Sequence, residues 1–368
     1  MRRSLIPIAC FSLTVSSLAL GETTRTLTAS LAVPASGAFV VENLAGRMTV
    51  VPGDGESVAV TATVHAETDA LAAAMRLEQV RDKDGLPALR VVYPLDKERR
   101  IRYPESGTAG GEGDHHVPHW LASLGFSDSS FEYDRHRVRV STSSGVLMYA
   151  DVEVRVPRRA VEATFRNFIG ALKAEGVEGR ILLDTNRGAI TARRLKGEIT
   201  ADTGSSDVTA EAISGSFTCD TGSGDCTVNG FDGKELYCDT GSGDVRVRDV
   251  KAERLRADTG SGDVRAERAD VEEFSGDTGS GGIEAELTGG RLRRVKADTG
   301  SGDVTLWLPA DASFDAEADQ GSGELTCSFT DAKVSVSGRK TVGCARGDGR
   351  ARITIDTGSG DAAIKPLK

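Results

Sequence analysis

One tetrapeptide recurs along the second half of the chain and limits the possible folds more than any other feature. Asp-Thr-Gly-Ser occurs seven times in the 368 residues, and degenerate copies begin at Asp184 and Asp319. From Asp184 onward, successive copies are almost evenly spaced, except for a last interval that is nearly twice as long. A period of about 19 residues is typical of a solenoid, and the long last interval predicts an insertion between 331 and 352. The full copies begin at Asp202, Asp220, Asp239, Asp258, Asp277, Asp298 and Asp356.

The residues around each tetrapeptide alternate between apolar and polar side chains. Apolar residues stand three positions before the aspartate, and mostly small residues stand one position before it. Period-two alternation indicates β-strands with one buried face, and no repeat contains a helical pattern. We therefore expect an all-β fold, a single-chain parallel β-solenoid with rungs of about 19 residues. The turn glycines are expected to supply positive φ angles.

The N-terminal segment, residues 1–21, carries the pattern of a secretory signal peptide. Arg2 and Arg3 precede an apolar stretch, and small residues precede a cleavage position before Glu22. We therefore predict an exported protein of the periplasm or cell surface, with no integral membrane span in its mature chain. The formal net charge of −10 disfavours nucleic acid as a partner.

Three parts of the chain are predicted from these patterns. They are a signal peptide over residues 1–21, a β-rich section over residues 22–160 and a β-solenoid repeat region over residues 161–368. The middle part contains one predicted short helix over residues 69–80. It also contains a long insertion, residues 96–135, that is rich in glycine, histidine and aromatic residues.

Several motifs together resemble the β-strand-repeat proteins of bacterial envelopes. They are the Asp-Thr-Gly-Ser-Gly-Asp-Val units, the opening segment 41–46, the strand at 154–157 and the glycine-rich stretch before Asp356. The resemblance covers about residues 36–368. That family is classed as adhesins of otherwise unknown function, so the resemblance implies a β-repeat fold and a role in adhesion. It supplies no catalytic residue, and this chain departs from the family pattern in its long insertion.

Three histidines of the insertion are candidate metal ligands. His115, His116 and His119 form a His-His-x-x-His pattern, which places the first and last histidine on one face of a helix. A histidine-containing loop without a metal is the alternative interpretation. Nearby aromatic residues form either a small satellite core or a partner-binding patch. These aromatic residues are Phe126, Phe131 and Tyr133.

Two columns of aspartates are the second set of candidate metal ligands. Asp239 belongs to the column that opens each tetrapeptide, and Asp244 belongs to the column that ends each turn. Like charges one rung apart repel by about 1 kcal/mol in water. We expect each carboxylate to accept amide N–H groups of its own turn, and calcium bound between rungs is the alternative. The sequence predicts no cofactor.

Five cysteines follow the predicted signal peptide. Cys219, Cys226 and Cys238 lie in neighbouring repeats, whereas Cys327 and Cys344 lie near the C-terminus. Buried free thiols are one interpretation. A disulfide within the first cluster, or between the last two cysteines, is the other. A zinc site is disfavoured because no Cys-x-x-Cys spacing occurs.

No catalytic residue set stands out from the repeats. Asp-Thr-Gly-Ser is also the motif of pepsin-like proteases, but those enzymes use one isolated pair of aspartates. Nine arginines between residues 246 and 294 indicate a solvated mixed-charge face, with an anionic-glycan surface as the alternative. We therefore predict a non-enzymatic adhesion or presentation scaffold whose partner is an envelope protein or glycan. The alternatives are a carbohydrate-active β-helix enzyme and a calcium-stiffened surface protein.

Overall fold

A computed structural model describes residues 22–33, 38–104 and 129–367 of the chain. These residues form two compact units, one that ends at Ala189 and one that begins at Ile190. Both units consist almost entirely of β-strands, which confirms the predicted all-β fold. The predicted boundary between the β-rich section and the repeat region, at residues 160 and 161, stays a prediction.

The first unit has thirteen strands and one helix among its described residues. Strand β10 pairs in parallel with β3 and antiparallel with β4, and β2 pairs in parallel with β6 and β11. Their alternating apolar side chains form the core, in which Phe39, Met48 and Phe165 are fully buried. The elements are β1 Thr23–Ala32, β2 Ala38–Ala45, β3 Met48–Gly53, β4 Ser57–Ala66, α1 Asp69–Ala74, β5 Arg76–Arg81, β6 Pro87–Val92, β7 Arg100–Arg102, β8 Ser129–Tyr133, β9 His136–Ser141, β10 Val146–Pro157, β11 Val161–Ile169, β12 Leu172–Glu175 and β13 Glu178–Thr185.

The helix is shorter than the predicted range of residues 69–80. Thr68 caps it, because its hydroxyl accepts a hydrogen bond from the Leu71 amide at 3.3 Å. At Met75 the backbone turns to an extended conformation, and β5 then pairs antiparallel with β6. The helix prediction is therefore wrong for its second half, where pairing with a neighbouring strand outweighs local helix propensity.

Both ends of the predicted insertion at residues 96–135 are folded. Strand β9 pairs in parallel with β7 and antiparallel with β8. The Tyr133 hydroxyl donates to the Val91 carbonyl at 2.6 Å, and the Phe131 ring stacks on Phe168 at 5.4 Å. Phe131 and Tyr133 therefore belong to a packed aromatic cluster, whereas Phe126 lies outside the described residues.

The second unit has fifteen strands, and most of them pair in parallel. Its strands from β15 to β21 align equivalent positions of successive repeats, so that Thr221 lies between Thr203 and Thr240 in the register. The strands are β14 Ile190–Arg193, β15 Lys196–Thr203, β16 Val208–Thr221, β17 Cys226–Thr240, β18 Val245–Thr259, β19 Val264–Thr278, β20 Ile283–Leu287, β21 Arg294–Thr299, β22 Val304–Leu308, β23 Phe314–Asp319, β24 Leu325–Cys327, β25 Lys333–Ser337, β26 Lys340–Arg346, β27 Ala351–Thr357 and β28 Ala362–Pro366.

This register stacks one apolar column through the second unit. Phe217 lies opposite Leu236, which lies opposite Leu255, and Phe274 and Val295 continue the column. Each of these side chains is at most 1% exposed. One repeat cannot bury its own apolar face, so the stacking of neighbours creates the core. Each repeat, with its strands and its turn, is one rung of this stack.

The last repeat in the sequence is not the last repeat in space. Strand β27 pairs in parallel with both β21 and β23, and β28 pairs in parallel with both β22 and β24. The C-terminal repeat is therefore inserted between two earlier ones. The antiparallel hairpin β25–β26 lies within the predicted insertion at residues 331–352, and β26 pairs antiparallel with β23.

The turn glycines are required for a different reason from the one expected. Gly224 and Gly243 do not have φ in the left-handed region, so the expectation of positive φ is wrong for these turns. A Cβ atom on Gly243 would lie 2.0 Å from the carbonyl oxygen of Gly224 in the preceding rung. Close approach of successive turns excludes a side chain there. Positive φ occurs instead at a second bend that recurs in successive repeats. There φ lies between 51° and 77°, at Arg194, Ala212, Gly230, Asp249 and Arg268.

Candidate functional site: the repeated turns

A ladder of buried threonines connects the turns of successive rungs. The Thr240 hydroxyl donates to the Gly224 carbonyl of the preceding rung at 2.8 Å and accepts from the Gly243 amide of its own turn at 3.1 Å. In the degenerate copy that begins at Asp184, the buried Thr185 hydroxyl has no hydrogen-bond partner among the described residues. The sequence did not indicate that this column faces inward. The residues of this threonine ladder are Thr221, Thr240, Thr259, Thr278, Thr299 and Thr357.

The aspartates that end each turn form a second ladder. Oδ1 of Asp225 accepts the Asp244 amide at 2.9 Å, and Oδ1 of Asp244 accepts the Asp263 amide at 2.8 Å. Each carboxylate therefore accepts an amide of the next rung, whereas we expected an amide of its own turn. The bonds offset repulsion between neighbouring carboxylates because each one gains a charge-assisted hydrogen bond. Equivalent bonds involve the carboxylates of Asp207, Asp263, Asp303 and Asp361.

The aspartates that open the tetrapeptides form an acidic column on the outer face of the second unit. Each one is the register partner of the next, and a spacing of about 4.8 Å gives a row of about 34 Å. We call this column the aspartate ridge. In spatial order its residues are Asp202, Asp220, Asp239, Asp258, Asp277, Asp298, Asp356 and Asp319.

Neighbouring side chains neutralise the aspartate ridge only in part. Arg256 donates to Asp258 at 2.8 Å, and Lys296 donates to Asp298 at 3.1 Å. Burial, followed by the charges of Asp298 and Asp258, raises the pKa of Asp277 above its ordinary value. The charged form of this carboxylate is therefore disfavoured in the fold.

The matching column of the first unit alternates in charge. Arg90 bridges Asp134 and Glu42 at 2.8 and 2.7 Å, and Arg166 bridges Glu42 and Asp184 at 3.0 and 2.7 Å. Glu42, in the middle of this chain of ion pairs, is buried. The two units therefore use the same position beside the turn differently, since the first alternates sign and the second repeats aspartate.

The two proposed calcium ligands already have protein partners. Oδ2 of Asp239 accepts a hydrogen bond from the Tyr237 hydroxyl at 2.7 Å. Oδ1 of Asp244 accepts the amide of the next rung, and its Oδ2 pairs with Arg246. In the part of the chain that the structure describes, no three His, Cys, Asp or Glu side chains are grouped to hold a metal ion. The candidates His115, His116 and His119 lie outside the described residues.

One disulfide forms within the first cysteine cluster. Cys219 and Cys226 are bonded across the turn of a single rung, and both are fully buried. Cys238, the register partner of Cys219, is a free thiol whose pKa is raised by burial. Cys344 is also free, and burial together with a hydrogen bond to Cys327 raises the pKa of its thiol. Sequence spacing could not distinguish these arrangements.

The nine arginines of the mixed-charge face are already paired. Arg248 donates to Glu267 at 2.7 Å, and Arg268 donates to Asp249 at 2.6 Å. This pairing supports a solvated mixed-charge face over an anionic-glycan surface at this place. The remaining seven, each within 4.0 Å of a carboxylate oxygen, are Arg246, Arg254, Arg256, Arg265, Arg291, Arg293 and Arg294.

The second unit thus has the features of a repetitive β-protein, in which side chains of each turn form hydrogen bonds with the backbone of a neighbouring rung. The family model Toastrack DUF4097 matches residues 138–365, which is more than half of the chain. The chain therefore belongs to the Toastrack DUF4097 family. No curated protein matches its sequence. Within the described residues, the structure has no helix long and apolar enough to cross a membrane.

Solved structures similar to this chain are distant. A putative adhesin from Bacteroides fragilis is 10% identical, with 93% of this chain and 97% of that chain covered and a TM-score of 0.32. A putative lipid binding protein from Parabacteroides distasonis is also 10% identical, with 92% and 97% covered and a TM-score of 0.35. A putative cell adhesion protein from Clostridium sporogenes is 9% identical, with 94% and 100% covered and a TM-score of 0.19. At these scores the similarity carries no argument about function.

Proposed function

We propose that this protein is a non-enzymatic adhesion or presentation scaffold exported to the cell envelope, in which the repeats form a parallel β-solenoid with rungs of about 19 residues. The threonine ladder is the observation that carries the proposal. Each buried hydroxyl ties its own turn to the preceding rung, as the two bonds of Thr259 at 2.8 and 3.1 Å illustrate. Turns held in this way keep surface side chains at fixed spacing, which suits the presentation of one repeated surface to a partner.

The arrangement of carboxylates supports a scaffold over a glycan-cleaving enzyme. Glycosidases need one pair of carboxylates in distinct environments at a defined separation. Here the carboxylates repeat in every rung, and those that end the turns accept backbone amides, as Asp225 and Asp244 do. No single pair of carboxylates therefore differs from the other pairs among the described residues of the second unit.

Co-sedimentation with isolated cell envelopes tests the proposal. The full chain is incubated with envelope fractions, and the bound fraction is measured against protein concentration. The same samples are assayed for new reducing ends on envelope and plant polysaccharides. We expect saturable binding and no turnover. A chain that does not bind envelopes saturably, or one that releases reducing ends, contradicts the proposal.

A second arm of the experiment asks whether the insertion carries the binding. Residues 105–128 are replaced by a short Gly-Ser linker, which leaves β8 and its aromatic contacts in place. The replacement stops at residue 128 because a wider deletion, of residues 104–132, would also remove Phe131 and most of β8. Loss of envelope binding in a folded variant would assign the partner site to the insertion, and unchanged binding would assign it to the described surface.

A further inference from the structure

Four arginines line one cavity at the small sheet β7–β9 of the first unit. The register places Arg100 of β7 and Ser130 of β8 on opposite sides of Arg139 in β9. Arg137 lies two residues before Arg139, so its side chain points to the same face. Together with Arg99 they line a shallow cavity of about 340 Å³. We call this surface the arginine cleft and define it by Arg99, Arg100, Ser130, Arg137 and Arg139.

Two arginines of the cleft, Arg100 and Arg137, carry positive charge that no carboxylate of the described residues balances. Arginines directly opposite each other on paired strands, as Arg100 and Arg139 are, repel. Among the residues that the structure describes, no ion pair joins Arg100 to a carboxylate, whereas Arg102, two residues later, pairs with Glu67. Arg99 donates to a backbone carbonyl, that of Leu95, at 3.1 Å. Arg137 donates to the Ser130 hydroxyl at 3.4 Å, which is also a neutral acceptor.

Arginines on the surface of the second unit, by contrast, have carboxylate partners. There each of the nine arginines of the mixed-charge face has a carboxylate partner, for example Arg248 with Glu267. In the arginine cleft, Glu132 lies opposite Arg137 in the register, yet the two do not form an ion pair within the described structure. Guanidinium N–H groups of Arg100 and Arg137 therefore remain available to an external anion.

We propose that the arginine cleft binds anionic oxygen groups, such as sulfate or phosphate, on a glycan of the cell envelope. The inference rests on the proposed function, because it gives the chemical class of the envelope partner. Guanidinium groups present planar, paired donors that match the oxygens of these anions. The net charge of −10 repels a polyanion overall, so binding of a polyanion would depend on a local positive site of this kind.

A glycan fits this surface better than a lipid headgroup. Membrane-surface binding needs large apolar side chains beside the basic ones. Among the described residues, the large exposed hydrophobic side chains are Val334 and Val336, and both belong to the second unit. The cavity itself is open and shallow, which admits a group that projects from a polymer chain.

Binding of fluorescently labelled dextran sulfate by the full chain tests the inference, with neutral dextran as the ligand control. The test variant is Arg100→Gln with Arg137→Gln. The matched control is Arg248→Gln with Arg254→Gln, which removes the same charge from exposed, paired arginines of the second unit. All four side chains are exposed, so both variants should melt within a few degrees of the wild type.

We expect the cleft variant to bind dextran sulfate about tenfold more weakly, because hydrogen bonds between charged groups contribute at that level. The control variant should stay within about twofold, and added salt should weaken binding by the wild type. Equal losses in both variants, or no loss in either, overturn the inference. Capture of the wild type by phosphatidylglycerol vesicles, abolished by the cleft substitutions, overturns the choice of a glycan.

The outcome separates this inference from the scaffold proposal. If the cleft variant keeps its affinity for dextran sulfate while the wild type still binds envelopes, the inference fails and the scaffold stands. If the wild type does not bind envelopes, the scaffold proposal fails whatever the dextran sulfate result.

Discussion

The threonine ladder can be tested at one residue. The Thr240 hydroxyl bonds both the Gly224 carbonyl and the Gly243 amide, and its side chain is 1% exposed. Valine has nearly the same shape as threonine but no hydroxyl. Thr240→Val therefore removes both hydrogen bonds without leaving a cavity, and it leaves two buried backbone groups without their side-chain partner.

The expected cost follows from those two groups. A buried donor or acceptor left without a partner costs about 1–3 kcal/mol, so the two together should lower the free energy of unfolding by about 2–6 kcal/mol. Domain stabilities are about 5–15 kcal/mol, so this is a large fraction of the total.

Urea unfolding followed by circular dichroism measures this loss. The slope of the free energy of unfolding against urea concentration should be the same for each variant and the wild type. Thr240→Ser keeps the hydroxyl and should cost clearly less than Thr240→Val. Thr354→Val, at an exposed strand position, should change the free energy by less than about 0.5 kcal/mol. If Thr240→Val is as mild as Thr354→Val, the hydroxyl does not hold the rungs together and the reasoning is refuted.

Four further predictions concern the repeats of the second unit. Gly243→Ala should lower the free energy of unfolding by about 1–3 kcal/mol because its Cβ meets a carbonyl, whereas Gly290→Ala, with open space around it, should not; urea melts of both decide. Phe217→Asp should prevent cooperative thermal unfolding because it buries a charge, while Arg256→Asp should retain a sharp melting transition. Asp277→Asn should raise the free energy of unfolding at pH 7. Because the folded-state pKa of Asp277 is raised, its penalty exists only where it is charged, so the gain should vanish as the pH falls to about 4; a gain independent of pH contradicts this. Finally, millimolar calcium and magnesium should shift the melting temperature slightly and equally, since the ladder carboxylates already accept amides; a rise specific to calcium would favour the calcium-stiffened alternative.

The alternation of side chains was enough to predict the buried column of the repeats. Phe217, Leu236 and Leu255 recur at a fixed interval, so register followed from the sequence alone. The place of the last repeat did not follow, because spacing along the chain gives no information on which neighbours a strand finally joins. The insertion of β27 between β21 and β23 is determined by tertiary contacts.

The chemistry of the turns was predicted less well than their position. The sequence identified the glycines, but only backbone coordinates show that Gly243 is required by contact with Gly224. Likewise, the pattern indicated the aspartate columns but not the donor that each carboxylate meets. The arginine cleft was missed for the same reason, since Arg100 and Arg139 are far apart in sequence and become neighbours only through strand pairing.

Amide hydrogen exchange measures most directly whether the turns of the repeat form a rigid, hydrogen-bonded scaffold. The amides of Gly243 and Gly262 donate to buried threonine hydroxyls, whereas Gly290 lies in an exposed turn. If the ladder is continuous, Gly243 and Gly262 exchange as slowly as the core strand amide of Leu255, within about tenfold. Exchange of these two glycines at the rate of Gly290 would contradict the account.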